Sequence, residues 1–328
     1  MRRRAFLAAL GGAAAAAWPL AVRAQEAPRV PRIGLLLTNS GADEERRGIP
    51  GAFRDGLSRL GYVEGKTILI EERFADGKPD RMPALAAELV ASKVDLIVTP
   101  GQGVFAAHRV TTTVPIVAAA ADDLVAEGLA ESITHPGGNV TGQSILASQV
   151  MAKRLELLKQ TVGSLRRAGV LQLRGWPWNG RNLEATAKLA KALDVELEPF
   201  EAFDGASYEA AFSSASDASI GGFVISDAGQ FYGDVEIIAS IANRHGLATV
   251  GPPQFAASGV LIGYGADILE LFRHAATFVD KILRGAKPGD IPIEQATRFQ
   301  TIVNLKTAKA LGIDIPPAVL AAADEVIE

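Results

Sequence analysis

The sequence contains no cysteine, and this absence narrows the chemistry that the protein can perform. Without thiols there is no disulfide framework, no thiolate nucleophile and no cysteine at which a lipid could be attached. Histidine is scarce as well: the four residues lie far apart along the chain and lack the spacing of metal ligands. We therefore expect no metal site.

Nucleotide-binding motifs and basic tracts are also missing. No Gly-x-Gly-x-x-Gly follows a predicted strand and no phosphate-binding loop with Lys-Ser/Thr occurs; Gly101-Gln102-Gly103 is only a fragment of such a loop. The formal charge is −4, and no block of Lys or Arg occurs after the first residues. Such a chain is not expected to bind nucleic acid or anionic lipid. The sequence predicts no cofactor.

The first 24 residues have the pattern of an export signal. Three arginines at positions 2–4 precede an Ala/Leu/Gly stretch over residues 5–20, and small residues then predict cleavage between Ala24 and Gln25. The same start also fits a twin-arginine signal, so both export routes stay open. A membrane anchor is disfavoured because a span needs about 20 strongly apolar residues.

Removal of residues 1–24 takes away four arginines and no acid, which changes the formal charge from −4 to −8. A freely soluble, acidic exported protein is most useful where a second membrane retains it. We therefore expect the protein to lie in the periplasm without membrane insertion.

Strands and helices alternate along the rest of the chain. Short apolar runs bounded by turn residues predict buried parallel strands, and helical spacing predicts helices of 10–15 residues between them. The pattern predicts an α/β fold with two successive doubly wound sets. Strands are expected at residues 32–38, 67–74, 94–99, 114–119, 140–144, 168–174, 195–200, 221–226 and 248–251, with helices at residues 46–60, 79–92, 103–110, 148–162, 181–193, 208–216 and 233–245.

Polar and aromatic residues are concentrated where the predicted strands end. In open parallel sheets, ligands bind beyond the carboxyl ends of the strands. Gly, Ser, Thr, Gln, Asp and aromatic residues there would suit a small polar ligand, although a single Ser or Thr is also a common helix cap. The segments are residues 38–43, 99–103, 119–123, 174–179, 226–232 and 251–255.

A catalytic function has little support. Asp122 and Asp123 are adjacent carboxylates, but neighbouring side chains seldom point to one place. Asp123 is instead expected to cap a helix that begins at Leu124, which leaves Asp122 to face a cleft.

Several segments resemble one known family in order along the chain, from about residue 31 to the C-terminus. They are similar to substrate-binding proteins of ABC transporters related to the tryptophan/tyrosine-binding type. The segments are residues 60–65 (LGYVEG), 80–86 (DRMPALA), 113–117 (TVPIV), 135–142 (HPGGNVTG), 152–158 (AKRLELL), 304–312 (NLKTAKALG) and 323–328 (ADEVIE).

The resemblance implies a type I periplasmic-binding-protein architecture, with two Rossmann-like lobes that contain parallel sheets and close on a ligand. It also implies ABC permease subunits in the inner membrane as partners. On this chain lobe 1 would comprise residues 29–143 and 264–297, and lobe 2 residues 144–263 and 298–328. Crossings between the lobes would fall near residues 142–146, 259–265 and 298–303.

Ligand contacts are implied at strand ends of both lobes. Ser40 and the amides around Gly101 and Gln102 would receive a carboxylate, and Asp122 or Asp227 would meet an ammonium group. The full set implied as ligand-binding is Asn39, Ser40, Gly101, Gln102, Asp122, Trp176, Asp227 and Tyr264, with the region of Pro253 nearby.

One segment departs from the family pattern. Where the family commonly has an Asn-Pro-type turn, residues 174–179 read RGWPWN. Trp176 and Trp178 would either stack on a planar or apolar ligand or pack on the helix that follows their own loop.

The sequence thus predicts a periplasmic solute-binding protein of an ABC importer, without catalytic residues, that binds an amino acid or similar small carboxylate. An exported sensor that docks to a membrane receptor is an alternative that the chain does not distinguish. An exported α/β enzyme is the second, less favoured alternative.

Overall fold

The computed structural model describes residues 29–176 and 179–328. The predicted export signal, residues 1–24, and Trp178 lie outside these residues. The strands are β1 (Arg32–Leu37), β2 (Leu69–Phe74), β3 (Leu96–Pro100), β4 (Ile116–Ala121), β5 (Val140–Ser144), β6 (Arg167–Leu173), β7 (Glu196–Ala202), β8 (Gly222–Ile225), β9 (Ala248–Gly251), β10 (Ile262–Ala266), β11 (Glu294–Gln295), β12 (Phe299–Asn304) and β13 (Glu325–Ile327).

Helices separate most of these strands, as the alternation predicts. They are α1 (Gly41–Arg46), α2 (Ile49–Arg59), α3 (Met82–Ala91), α4 (Gln102–Val110), α5 (Ala147–Thr161), α6 (Asn179–Ala192), α7 (Gly205–Asp217), α8 (Gly229–Arg244), α9 (Ile268–Leu283), α10 (Leu305–Leu311) and α11 (Pro317–Ala321). In the described part of the chain, no helix combines the length and the apolar character needed to cross a membrane.

The first sheet has the strand order β11-β5-β4-β3-β1-β2, and its paired strands are parallel. Strands β1 and β4 are almost wholly apolar, because helices cover both faces of the sheet. Helices α2 and α9 pack on one face, where Phe53 and Phe272 join one core cluster. Leu89 and Val104 lie in a second cluster with α3 and α4 on the other face.

The second sheet has the order β13-β12-β10-β9-β8-β6-β7 and is parallel except for the antiparallel β10–β12 pair. Tyr208 and Phe231 belong to a core cluster with α7 and α8, and Leu155 and Leu158 of α5 belong to another. The molecule therefore consists of two Rossmann-like α/β lobes with parallel-dominated sheets.

The chain passes between the two sheets three times, after β5, after β10 and after β11. Each doubly wound set has a switch point, between β1 and β3 in the first sheet and between β6 and β8 in the second. The segments that follow these strands are the places where such sheets bind ligands.

Two local predictions are wrong. The helix predicted at residues 46–60 is two helices, α1 and α2, and the first already begins at Gly41, because the Ser40 hydroxyl accepts a hydrogen bond from the Asp43 backbone N–H and caps it. Residues after Leu124 form hydrogen-bonded turns instead of a helix, although Asp123 caps the segment as expected by accepting from the Ala126 N–H.

Candidate functional site

A cavity lies between the strand ends of the two lobes, with a volume of about 730 Å³ that includes the solvent at its opening. We call it the main cavity. Its lining combines apolar side chains with polar and charged groups from both lobes. The apolar side chains include Leu37, Ile49, Ile145, Val150, Ile268, Leu271 and Phe272, and the polar and charged ones include Thr38, Asn39, Glu44, Arg47, Gln102, Asp122, Asp227 and Tyr232.

A neighbouring cavity, the tryptophan compartment, has a volume of about 530 Å³, which includes the solvent at its opening. It shares Gln102, Asp122 and Asp227 with the main cavity and adds Trp176 and Asn182. The two spaces therefore share a wall in one interlobe cleft, and the tryptophan compartment lies beside α6.

Two helices begin at the cavity wall without a capping side chain. Helix α4 follows Gly101, whose φ of 43° permits the sharp turn out of β3, and helix α8 begins at Gly229. Backbone N–H groups in a first helical turn have no partner within the helix, and the helix dipole adds partial positive charge there. The wall can therefore receive an anionic group from both lobes.

Asp227 lies at the wall as half of a buried ion pair. Arg154 is 0% exposed, and its Nη1 and Nη2 atoms donate to the two Asp227 carboxylate oxygens at 2.7 and 2.8 Å. Arg154 also donates from Nε to the Tyr264 carbonyl at 2.8 Å and from Nη1 to the Ile225 carbonyl at 3.0 Å. We predicted that Asp122 or Asp227 would contact a ligand ammonium group, but Arg154 already balances the negative charge of Asp227.

Asp122 has no such cationic partner. Asn182 from the other lobe donates to Asp122 Oδ2 at 3.3 Å, and Arg181 is near enough for its charge to lower the pKa of Asp122, although the ion pairs in the described ranges do not include one with Asp122. Burial, reinforced by the negative charge of Asp227, raises the pKa of Asp122 to about 6. A ligand cation beside Asp122 would stabilise its ionised carboxylate, which burial and Asp227 disfavour.

A second network joins the lobes at the wall of the main cavity. Asn39 Nδ2 donates to Glu44 Oε1 at 3.0 Å and to the Gly229 carbonyl of lobe 2 at 3.1 Å. Arg47 pairs with Glu44 at 2.9 Å and places its guanidinium 4.6 Å from the ring centre of Tyr232. The lobes are therefore in direct contact around the cavity.

Small residues of α8 allow this close approach. A Cβ atom on Gly229 would lie 2.8 Å from Thr38 Oγ1, and one on Gly233 would lie 2.6 Å from Asn39 Oδ1. Any larger side chain at these positions would separate the lobes or displace the polar groups beneath them.

The structure brings most of the predicted residues together. Asn39, Gly101, Gln102, Asp122 and Asp227 line the main cavity, and Trp176 lines the tryptophan compartment.

Three predicted side chains have other contacts. The Ser40 hydroxyl caps α1, and the Tyr264 ring stacks on Phe299 with the ring centres 6.0 Å apart; neither residue lines the two cavities. Trp176 packs edge-on against Phe105 of the other lobe at 5.7 Å. Trp176 therefore connects the lobes at the edge of the cleft.

Four residues at the site were not predicted: Glu44, Arg47, Arg154 and Asn182. Tyr232 was included only as the end of the strand-end segment 226–232. The sequence does indicate that Arg154 is buried. It lies on the same face of α5 as Met151, Leu155 and Leu158, which is the face that packs into the core. A charged residue at such a position requires a buried partner.

The fold and the interlobe cleft define a two-lobed ligand-binding protein. Comparison with known proteins agrees with this class. The family model for ABC transporter substrate binding proteins matches residues 33–327, and the chain belongs to this family of binding proteins, which are not enzymes.

Relatives of known sequence or structure extend the likeness. The chain is 27% identical to a tyrosine-binding protein of Clostridioides difficile (strain R20291) over 289 residues, which cover 86% of this chain and 80% of the relative. A conserved domain protein of Vibrio cholerae O1 superimposes with a TM-score of 0.84 at 24% identity, covering 91% of this chain and 100% of the other. An ABC domain of Streptococcus pneumoniae in complex with L-Trp gives a TM-score of 0.81 at 22% identity, with coverages of 90% and 99%.

Proposed function

We propose that the protein is the periplasmic solute-binding component of an ABC importer and that it binds an amino acid with an apolar side chain. The observation that carries this proposal is the lining of the main cavity, which combines apolar side chains with helix N-termini that suit an anion and a carboxylate that suits a cation. The family membership and the amino acids named for its relatives support it.

The ligand carboxylate would lie against the N-termini of α4 and α8, where backbone N–H groups and helix dipoles favour an anion. The ammonium group would lie at Asp122, with the buried and unpartnered Gln102 Oε1 as a second acceptor. The apolar side chain would then contact Leu271 and Phe272.

We assign residues 29–143 and 264–297 to the first lobe and residues 144–263 and 298–328 to the second. Binding at the strand ends of both lobes would favour the arrangement in which Asn39 contacts Gly229 and Arg47 contacts Tyr232. Permease subunits would read this arrangement as the signal that ligand is bound.

A thermal-shift panel tests the binding function. Purified, ligand-free protein is heated with L-Leu, L-Phe, L-Trp or L-Tyr and, as matched controls, with the corresponding amino-acid amides, which lack the carboxylate. A ligand at 100 times its dissociation constant should add about 2.7 kcal/mol of stability. Stabilisation by at least one amino acid but not by its amide is expected; no stabilisation by any of them would refute the proposal.

The transport role has a separate test. Deletion of the gene should abolish high-affinity uptake of the identified ligand by intact cells, and fractionation should recover the protein from the periplasm. Unchanged uptake with normal binding would contradict the importer role while leaving the binding function intact.

A further inference from the structure

Glu44 is a buried carboxylate of lobe 1 beside the main cavity. It is 2% exposed and lies in the first turn of α1. Its Oε1 atom accepts hydrogen bonds from the backbone N–H of Asn39 at 3.1 Å and from Asn39 Nδ2 at 3.0 Å. Its Oε2 atom accepts from Arg47 Nη1 at 2.9 Å. One carboxylate thus holds two side chains of its own lobe.

The first of these side chains, that of Asn39, contacts lobe 2. A carboxylate accepts hydrogen bonds but donates none, so Asn39 must turn the NH2 end of its amide toward Glu44. The same NH2 group also donates to the Gly229 carbonyl at 3.1 Å. The amide oxygen then faces Gly233, where an added Cβ atom would lie only 2.6 Å away. Glu44 therefore selects the one orientation of Asn39 that fits against α8.

The second side chain, that of Arg47, reaches lobe 2 at a different residue. Its guanidinium lies 4.6 Å from the ring centre of Tyr232, which is about one turn beyond Gly229 on α8. A free arginine side chain has many rotamers, and the bond to Glu44 restricts it to those that reach the ring. The face of the ring then attracts the cation.

The hydrogen bonds of the Glu44 side chain in the described part of the chain stay within lobe 1. Although Glu44 lines the main cavity, both of its oxygens have donors, and a guanidinium balances its charge. Glu44 therefore acts on the neighbouring lobe through Asn39 and Arg47.

We propose that Glu44 is a positioning residue for lobe closure. It orients Asn39 and Arg47 together, so that Gly229 and Tyr232 of α8 meet two prepared partners when the lobes come into contact. Contacts around the cavity must break before a bound ligand can leave, so this carboxylate should slow ligand release. The role is independent of the chemical identity of the ligand.

Distances between the lobes measure closure directly. The chain contains no cysteine, so Ser58→Cys in α2 and Ser240→Cys in α8, both at exposed positions, provide two unique sites for spin labels. The two helices begin at the main cavity and extend away from it in opposite lobes. Double electron–electron resonance should therefore give a short distance for lobes in contact and a longer distance for separated lobes.

Glu44→Gln keeps the shape of the side chain but replaces one acceptor by an NH2 group, so it cannot serve both Asn39 and Arg47. With the amino acid that stabilises the protein most at saturation, we expect the short-distance population to fall by at least half and the ligand dissociation rate to rise at least tenfold. Glu45→Gln, which removes an exposed carboxylate from the same helix, is the control and should change neither quantity.

Equal distance distributions in wild-type and Glu44→Gln protein would overturn the inference, and so would a wild type without a short-distance population. If no amino acid binds, the proposed function fails, and the distributions of the same ligand-free proteins decide the role of Glu44.

Two further variants separate positioning from direct ligand contact. Asn39→Ala leaves the Glu44–Arg47 pair intact and removes one interlobe contact, so its short-distance population should lie between those of the wild type and Glu44→Gln. This variant also provides the test if Glu44→Gln lacks a native circular dichroism spectrum. In protein that carries both Asn39→Ala and Arg47→Met, added Glu44→Gln should change the affinity by less than twofold. A further tenfold loss would show that Glu44 contacts the ligand and would overturn the positioning role.

Discussion

Replacement of Asp227 by alanine should destabilise the protein strongly, because it leaves Arg154 charged and buried. Arg154 is 0% exposed, and two of its hydrogen bonds, at 2.7 and 2.8 Å, go to Asp227. The carbonyl groups of Tyr264 and Ile225 would remain as acceptors, but neither carries a charge. Removal of one member of a buried pair costs about 3–5 kcal/mol.

Denaturant unfolding of ligand-free protein measures this loss, and the unfolding temperature should fall by roughly 10 °C. The control is Asp122→Asn at the same cavity. Its carboxylate has no ion-pair partner to abandon, so that variant should be at least as stable as the wild type at pH 7.5. Further replacement of Arg154 by methionine in the Asp227→Ala protein should recover most of the loss.

If Asp227→Ala unfolded within 1 kcal/mol of the wild type (about the error of such measurements), the buried ion pair would not have this stabilising role. An equal loss in Asp122→Asn would also contradict this role, because the two carboxylates would then have the same structural role. Destabilisation of Asp227→Ala that methionine at position 154 does not relieve would show that the cost does not arise from the unpaired guanidinium.

Three further predictions concern the cleft. Burial raises the pKa of Glu127 from 4.5 to about 8, so the folded protein retains a proton that the unfolded chain releases. The free energy of unfolding should therefore fall as the pH rises from 4.5 to 8. In denaturant titrations at several pH values, Glu127→Gln should show a weaker dependence of this free energy on pH. Gly233→Ala would place a methyl group 2.6 Å from Asn39 Oδ1 of the other lobe and should weaken ligand binding at least tenfold, as measured by calorimetry. The control is Gly180→Ala, which adds its methyl group in open space and should leave the affinity unchanged. Tyr232→Leu removes the ring that lies 4.6 Å from the Arg47 guanidinium and should weaken ligand binding by about 1 kcal/mol. Tyr232→Phe keeps an aromatic ring and should retain most of the affinity. Equal effects of the two changes would exclude a contribution of the cation–π contact to binding.

Most of the architecture follows from local patterns. The apolar runs of β1 and β4 predict buried parallel strands because helices must cover both sheet faces, and these strands occur where expected. The ends of helices were less predictable where a capping side chain allows a helix to begin in a segment rich in turn residues. Helix α1 lies in a segment rich in turn residues and depends on a single hydroxyl cap, that of Ser40.

The sequence predicts only those residues of the site that follow the ends of strands. That rule identifies Asn39, Gln102 and Asp122, which do line the main cavity. It does not reveal pairings between distant parts of the chain. Asp227 meets Arg154 across 73 positions, and only the folded chain shows that the charge of Asp227 is balanced whereas that of Asp122 is not.

We propose above all that the cleft between the lobes binds an amino acid through Asp122 and the apolar side chains that line the main cavity. Titration calorimetry of ligand-free wild-type protein and of Asp122→Ala, each with the amino acid that stabilises the protein most, tests this claim directly. We expect saturable binding with one ligand per chain, weakened at least tenfold in the variant. Equal affinity of the two proteins would contradict the site, and the absence of saturable binding to the wild type would contradict the function.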